Sequence, residues 1–375
     1  MAEGRLPITV ITGFLGSGKT TLLNRLLRQK AMQGTLVIVN EFGEVGLDHL
    51  LIEKPQDETI LLSNGCLCCA MLGDLVVTLS RLLERRESGE LPPFDRVVIE
   101  TTGLADPAPL LQTVLSDEEI SSAFRLDAVV TVVDAVNAPS QLDTHFESVK
   151  QVAVADRIVL SKTDLRSPEG IGTLRDKLKS LNPSASILTA IRGEVPVESL
   201  LGGQAGERDW TAWLGADAPA RNVHHSKGRA VAGGHESGNG HHHRSAAEAI
   251  NTFSVRRAGE VRMDGLRLWL NALVRFQGPD LLRVKGLFNV EGKPVVVHAV
   301  QHLFHEPEML EAWPSDDRDT RIVFVARGLE RAQIDATLGA LDFEGGKEAS
   351  ATLFDQRDYQ HFVEAIRHFH PMERL

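Results

Sequence analysis

Cysteine is almost missing from this chain. Its 375 residues include three, all within Cys66-Leu67-Cys68-Cys69. An odd number in one tight cluster excludes a disulfide framework and points to a reducing, cytoplasmic setting. Surplus positive charge is missing too. With 40 Lys and Arg against 51 Asp and Glu, the formal net charge is −11. That excludes nucleic-acid binding by phosphate neutralisation and mildly favours cation partners. No apolar run approaches the roughly 20 residues of a membrane helix, so no membrane span is expected. Met1 to Arg5 leads straight into a strand-like run, Leu6 to Thr12, with no leader or cleavage pattern.

What is present is enough apolar residue, 42%, for genuine cores, in a chain long enough for two or more domains. Short apolar runs at Ile8–Ile11, Leu36–Val39, Val97–Ile99, Ala128–Val133 and Ile158–Leu160 have the character of buried parallel strands. Helical leucine spacing follows at Thr20–Arg28 and Leu75–Leu83. The alternation predicts an α/β domain with a mostly parallel, doubly wound sheet over residues 1–201. Residues 202–248 lose periodicity in favour of Gly, Ala and His, as a linker does. A small α+β domain is expected over 249–375. Its elements are strands at Thr252–Val255 and Ile322–Ala326, helices at Leu266–Phe276 and Glu330–Leu341, and a hairpin from Leu281–Val290 to Pro294–Val300 turning at Glu291-Gly292-Lys293.

Between the first strand and the first helix lies Gly13-Phe14-Leu15-Gly16-Ser17-Gly18-Lys19-Thr20, a full G-x-x-x-x-G-K-[ST] phosphate loop. Gly13, Gly16 and Gly18 let backbone N–H groups, with that of Ser17, turn towards phosphate oxygens. The helix N-terminus behind them adds a positive dipole. Lys19 is expected to reach the β- and γ-phosphates and Thr20 to ligate Mg²⁺, with Thr21 beside it. The strand Val97–Ile99 ends in Glu100, a candidate for the metal's water shell or for positioning the attacking water. Gly103 is a candidate donor to the γ-phosphate.

Ser161-Lys162-Thr163-Asp164 follows another strand and is close to N-K-x-D, with Ser161 where Asn is usual. The Asp164 carboxylate can accept from the guanine N1–H and amine, an edge adenine lacks, and Lys162 can lie over the ring. A helix-capping role for the Asp is the alternative.

The C-x-C-C cluster offers at most three thiolates, one short of a closed structural zinc site. It therefore suits transfer of a thiophilic ion; buried apolar thiols and a redox pair are the alternatives. Asn40 to Asp48 follows the second strand, where a nucleotide-sensing loop would lie. Glu41, Glu44 and Asp48 are candidate oxygen ligands there. Six histidines between His224 and His243 could collect ions weakly or belong to a solvated linker.

Together these motifs resemble the CobW-type metallochaperone GTPases, in the same GTPase class as the urease and hydrogenase nickel-insertion accessory proteins. The residues carrying the resemblance are Gly13–Thr20, Asn40-Glu41-Phe42-Gly43, Cys66–Cys69, Glu100-Thr101-Thr102-Gly103-Leu104-Ala105-Asp106-Pro107, Ser161–Asp164 and, in the second domain, Val284-Lys285-Gly286 with Val296–Gln301. The resemblance implies a P-loop GTPase domain with a small C-terminal domain, GTP hydrolysis with Mg²⁺, and transfer of Zn²⁺ or Co²⁺ to a client metalloprotein. Glu41, Cys66, Cys68 and Cys69 would be metal ligands by position. Homo-oligomerisation is left open. The rival readings are a cobalt chaperone for cobalamin synthesis, a P-loop kinase acting on a small molecule, and a metal buffer that only senses nucleotide.

Overall fold

The computed structural model describes residues 5–40, 59–62, 72–201, 250–278, 280–300, 303–304 and 307–345. Glu41, Glu44, Asp48, the cluster Cys66–Cys69 and the histidine-rich segment lie outside the described residues.

The first part alternates strand and helix: β1 Leu6–Thr12, α1 Lys19–Leu27, β2 Thr35–Asn40, β3 Thr59–Leu62, α2 Leu72–Glu87, β4 Arg96–Glu100, α3 Ala108–Ser116, α4 Glu118–Ala123, β5 Phe124–Asp134, α5 Ala138–Thr144, α6 Phe146–Ala153, β6 Arg157–Ser161, α7 Pro168–Leu181, β7 Ser186–Thr189 and α8 Val197–Leu200. The seven strands lie in the order β3-β2-β4-β1-β5-β6-β7. Every neighbouring pair is parallel. Parallel strands need crossovers, and crossover helices cover both faces, which is why the central strands β1, β2, β4, β5 and β6 carry buried apolar runs. One face packs Ile8, Val10, Ile38 and Val97 against Leu79, Leu110 and Leu111. The other packs Ile11, Val98 and Val132 against Leu22, Leu23 and Leu26 of α1.

Because all strands run the same way, their C-terminal ends share one edge. Ile11 is opposite Glu100, Thr12 opposite Thr131, and Asp134 opposite Ser161. The chain leaves β1 toward β2 on one side and later reaches β5 on the other. The crevice above β1 is therefore the switch point where ligands of such sheets bind.

The second sheet is antiparallel and six-stranded, in the order β11-β10-β9-β13-β8 with β12 on β10. Its strands are β8 Ile250–Arg257, β9 Leu281–Val290, β10 Lys293–Val300, β11 Leu303–Phe304, β12 Glu308–Met309 and β13 Thr320–Arg327. Helix α9, Met263–Gln277, covers one face through Leu266, Trp269 and Leu273. The β9–β10 hairpin turns at Glu291-Gly292, whose φ angles are 52° and 84°. Two positive φ values in a two-residue loop match the right-handed twist of the strands. Lys293 is thus the first residue of β10, paired with Val290.

The helix expected over Glu330–Leu341 is broken. It forms α10, Arg331–Asp335, and then a separate 3-10 turn, Leu338–Asp342. Between them Thr337 donates to Ile334 O (2.7 Å) and accepts from Trp269 Nε1 (2.8 Å). A buried indole N–H that needs an acceptor outweighs local helix propensity.

Candidate functional site

The phosphate loop sits above β1. Gly13, Gly16 and Gly18 have φ of 143°, 69° and 96°, a region costly for other residues. A Cβ on Gly13 would lie 2.2 Å from Val132 O, so glycine is also required for space. Lys19 is buried, and its ammonium donates to Gly13 O (2.9 Å) and Phe14 O (3.3 Å). That holds it over the loop whose N–H groups would meet the phosphates. Ser17 Oγ is buried without a hydrogen-bond partner, as a group reserved for a ligand would be. Thr21 lies exposed on α1.

Thr20 Oγ1 donates to Glu100 Oε1 at 2.8 Å. This pairs the hydroxyl after the loop lysine with the acid at the end of β4, 4% exposed. Hard oxygen donors of this kind fit Mg²⁺. Thr101 N donates to Ile11 O (2.9 Å) and Thr101 Oγ1 to Thr12 Oγ1 (2.8 Å), fixing the start of the next turn against β1. Gly103 follows, so close to the loop that a Cβ there would meet Leu15 Cα and N at 2.7 Å. Lys19, Thr20, Glu100 and Gly103, far apart in sequence, are therefore brought together.

The candidate base end lies at the ends of β5 and β6. Ser161 Oγ donates to Ser17 O at 2.6 Å, so the hydroxyl in the Asn position itself ties the strand to the phosphate loop. Lys162, in the left-handed conformation at φ 55°, donates to Gly16 O (2.8 Å) and Asp134 Oδ2 (2.7 Å). Asp164 is exposed on the 3-10 turn Thr163–Leu165.

Sequence reasoning missed Asp134. It is buried at the end of β5 and accepts from Val136 N, Asn137 N and Asn137 Nδ2 as well as Lys162. The signal was there: an apolar strand ending in an acid, as at Glu100. Burial alone would raise its carboxyl, but the hydrogen bonds from Lys162, Asn137 and the two backbone N–H groups outweigh it and hold the pKa below its usual value.

A lowered carboxylate stabilises above its unfolded pKa, about 3.9, and loses that contribution as pH falls through the lower folded value. Between pH 6 and 8 this group should leave nucleotide affinity flat. Asp134→Asn removes the anchor of Lys162. Guanine-nucleotide binding should weaken by about 1.5 kcal/mol, the scale of a charged hydrogen bond, or roughly tenfold in Kd. Fluorescent-nucleotide titration at pH 6, 7 and 8 checks both.

Sequence reasoning also missed α6. Gln151, 1% exposed, donates through Nε2 to Gly103 O (3.2 Å) and Ala105 O (3.1 Å). Lys150 pairs with Asp106 at 2.8 Å. His145, just before α6, stacks on Phe14 of the phosphate loop with ring centroids 4.8 Å apart. No periodicity reveals such tertiary contacts.

Among the described residues no group of three or more His, Cys, Asp or Glu side chains is placed to hold a metal ion. No described helix is long and apolar enough to cross a membrane.

Residues 7–189 match the family model described as CobW/HypB/UreG, nucleotide-binding domain, and residues 250–341 the model for the cobalamin synthesis protein cobW C-terminal domain. The chain is 30% identical to the zinc chaperone YjiA of Escherichia coli over 338 residues, covering 90% of this chain and 98% of that protein. It is 34% identical to a zinc chaperone CobW of Pseudomonas aeruginosa over 365 residues, covering 88% and 90%. The crystal structure of the Zn(II)-bound YjiA GTPase from E. coli superposes with a TM-score of 0.64 at 26% identity, covering 90% of this chain and 99% of that one.

Proposed function

The chain belongs to the CobW/HypB/UreG family, and on that premise we propose that it is a cytoplasmic GTPase that carries Zn²⁺ to a client metalloprotein. The observation that supports this best is the Thr20–Glu100 hydrogen bond beneath a complete phosphate loop. It sets a hydroxyl and a carboxylate at the spot where a triphosphate and its cation would meet. Mg²⁺ held there would neutralise charge on the β- and γ-phosphates.

The remaining work falls to the chain's own groups. Loop N–H groups and Lys19 bind the phosphates and stabilise the charge that develops as the bond to the γ-phosphorus breaks. Gly103, against Leu15, is in reach of the loop to donate to the γ-phosphate. Ser161 and Lys162 brace the base site against Ser17 and Gly16, leaving Asp164 to read guanine. We assign the metal cargo to Cys66, Cys68, Cys69 and Glu41, with the transfer controlled by the nucleotide. The division at 1–201, 202–248 and 249–375 is our working domain map.

A metal competition series on the GTP·Mg²⁺ form tests the cargo, using Zn²⁺, Co²⁺ and Ni²⁺ against a chromophoric chelator. Zn²⁺ is expected to bind most tightly. Replacing all three cysteines by Ser should weaken it by more than about 100-fold, beyond what loss of an outer-shell partner costs. Zinc affinity that ignores the three cysteines would falsify the assignment, and a Co²⁺ preference would redirect it to a cobalt client. Faster turnover of ATP than GTP would instead favour a kinase.

A further inference from the structure

Helix α6 touches both the turn after β4 and the second sheet, which also meets α3 through Val300. On one side it holds the turn after β4. Gln151 Nε2 reaches both Gly103 O and Ala105 O, and Lys150 reaches Asp106. Both of the amide's partners are carbonyl oxygens, so its orientation follows from its neighbours.

Along the same helix, at Phe146, at Ala153 and just beyond it, α6 meets the second sheet. Ala153 packs with Leu282 of β9 and Val325 of β13. Asp156, three residues past the helix, takes Arg283 and Lys285 of β9 on one carboxylate oxygen, Oδ1, with the Lys285 contact at 3.3 Å. Arg283 and Lys285 are 2% and 1% exposed. Phe146 of α6 carries Lys150 over its ring at 5.2 Å and Arg327 of β13 at 5.5 Å.

The helix is also braced. Asn182 Nδ2 donates to Val152 O (2.9 Å), Ala153 O (3.1 Å) and Ala155 O (2.9 Å). Thr131 Oγ1 donates to Gln151 O at 2.6 Å, tying the helix to β5. An eight-residue helix spans only about 12 Å, and one braced this closely along its C-terminal half moves as a unit.

An apolar contact would hold the second sheet at least as firmly. Buried ion pairs add little net stability, but they fix one arrangement over others. The Nε and Nη1 atoms of Arg283 make no hydrogen bond, so this contact is poorly optimised for stability alone.

We propose that α6 couples the second sheet to the nucleotide site. Gln151 is the positioning residue for the Thr101–Asp106 turn, and Asp156 with Arg283 and Lys285 is the latch. The inference rests on the GTPase reading. In the arrangement described, the turn lies against the phosphate loop, where Gly103 meets Leu15. The latched sheet therefore favours the γ-phosphate-bound form. Reciprocally, a partner that lifts the second sheet off α6 lowers affinity for GTP relative to GDP.

The test is the ratio of Kd for a non-hydrolysable GTP analogue to Kd for GDP, measured on the full chain. In Arg283→Met and in Gln151→Leu the ratio should rise at least about fivefold over wild type, the low end of allosteric couplings. The double variant should rise no further than the larger single one, because the two residues act along one connection. In wild type, the backbone amides of Leu281–Val290 should exchange more slowly with the analogue than with GDP. This last measurement needs no variant.

A ratio unchanged within twofold in Arg283→Met, together with nucleotide-independent exchange in β9, overturns the coupling and leaves the GTPase reading intact. A change in Gln151→Leu alone also overturns it, since the effect would then stop at the turn. Failure of wild type to bind guanine nucleotides would overturn the GTPase reading itself.

Discussion

Lys19→Ala is expected to slow GTP hydrolysis by about 10³-fold, the scale of losing one preorganised charge-stabilising donor, with the fold retained. The ammonium is buried and held over the carbonyls of Gly13 and Phe14. It is thus fixed beside the loop before any phosphate arrives and needs no reorganisation as charge develops. The loop glycines and the Thr20–Glu100 pair are left in place. Affinity for GTP should fall more than affinity for GDP, as expected of the lysine proposed to reach the γ-phosphate. Single-turnover phosphate release checks the rate, and circular dichroism checks the fold. A variant with wild-type turnover would remove Lys19 from the mechanism.

Trp269→Ala should be the most damaging single change to the second sheet, costing about 3–5 kcal/mol, as truncation of a buried aromatic does. Trp269 is fully buried, meets Phe288 and Phe324 edge-on, and donates its indole N–H to Thr337. Its loss opens a cavity and strips Thr337 of the contact that ends α10. Urea unfolding followed by fluorescence of the remaining tryptophans should show a lowered midpoint. Thr337→Val should cost about 1–3 kcal/mol, the penalty of an unsatisfied buried donor. If Trp269→Ala cost less than Thr337→Val, the indole would be a hydrogen-bonding group first and a packing group second.

Local chemistry was the legible part of this chain. The phosphate loop, the acid ending β4 and the Glu291-Gly292 turn each depend on residues adjacent in sequence, and each forms where the residues predict. Five of the first sheet's seven described strands, β1, β2, β4, β5 and β6, are legible because burial on both faces gives them apolar runs; β3 and β7 were not read. Helices α3 to α6 are not legible, being six to nine residues long with little room for periodicity. Strand β7 is short and half exposed, with the pattern Ser186-Ile187-Leu188-Thr189.

The least legible features are pairings across the fold. The motif gives Lys162 an expected place over a base, but its clamp onto Asp134 was not legible. Ser161 looked like a departure from a motif. Its bond to Ser17 depends on the register of β5 and β6, which no residue spacing encodes. The break at Thr337 is likewise imposed by a tryptophan some seventy residues earlier, through the bond they share (separation 68).

The placement of β1 bears on how the chain is made. Among the described residues this strand pairs with β4 and β5, so it meets its first partner only after synthesis has passed Arg96–Glu100 and its second only after Phe124–Asp134. At about 5–20 residues per second, that is a wait of several seconds for the first strand of the sheet. Distant pairings of this kind are slow to form. The proposed nucleotide site draws on Lys19, Glu100 and Ser161 together, so on that reading nucleotide binds only after that wait. It would therefore act on the nascent chain as a late fastener of the finished sheet rather than as an early template.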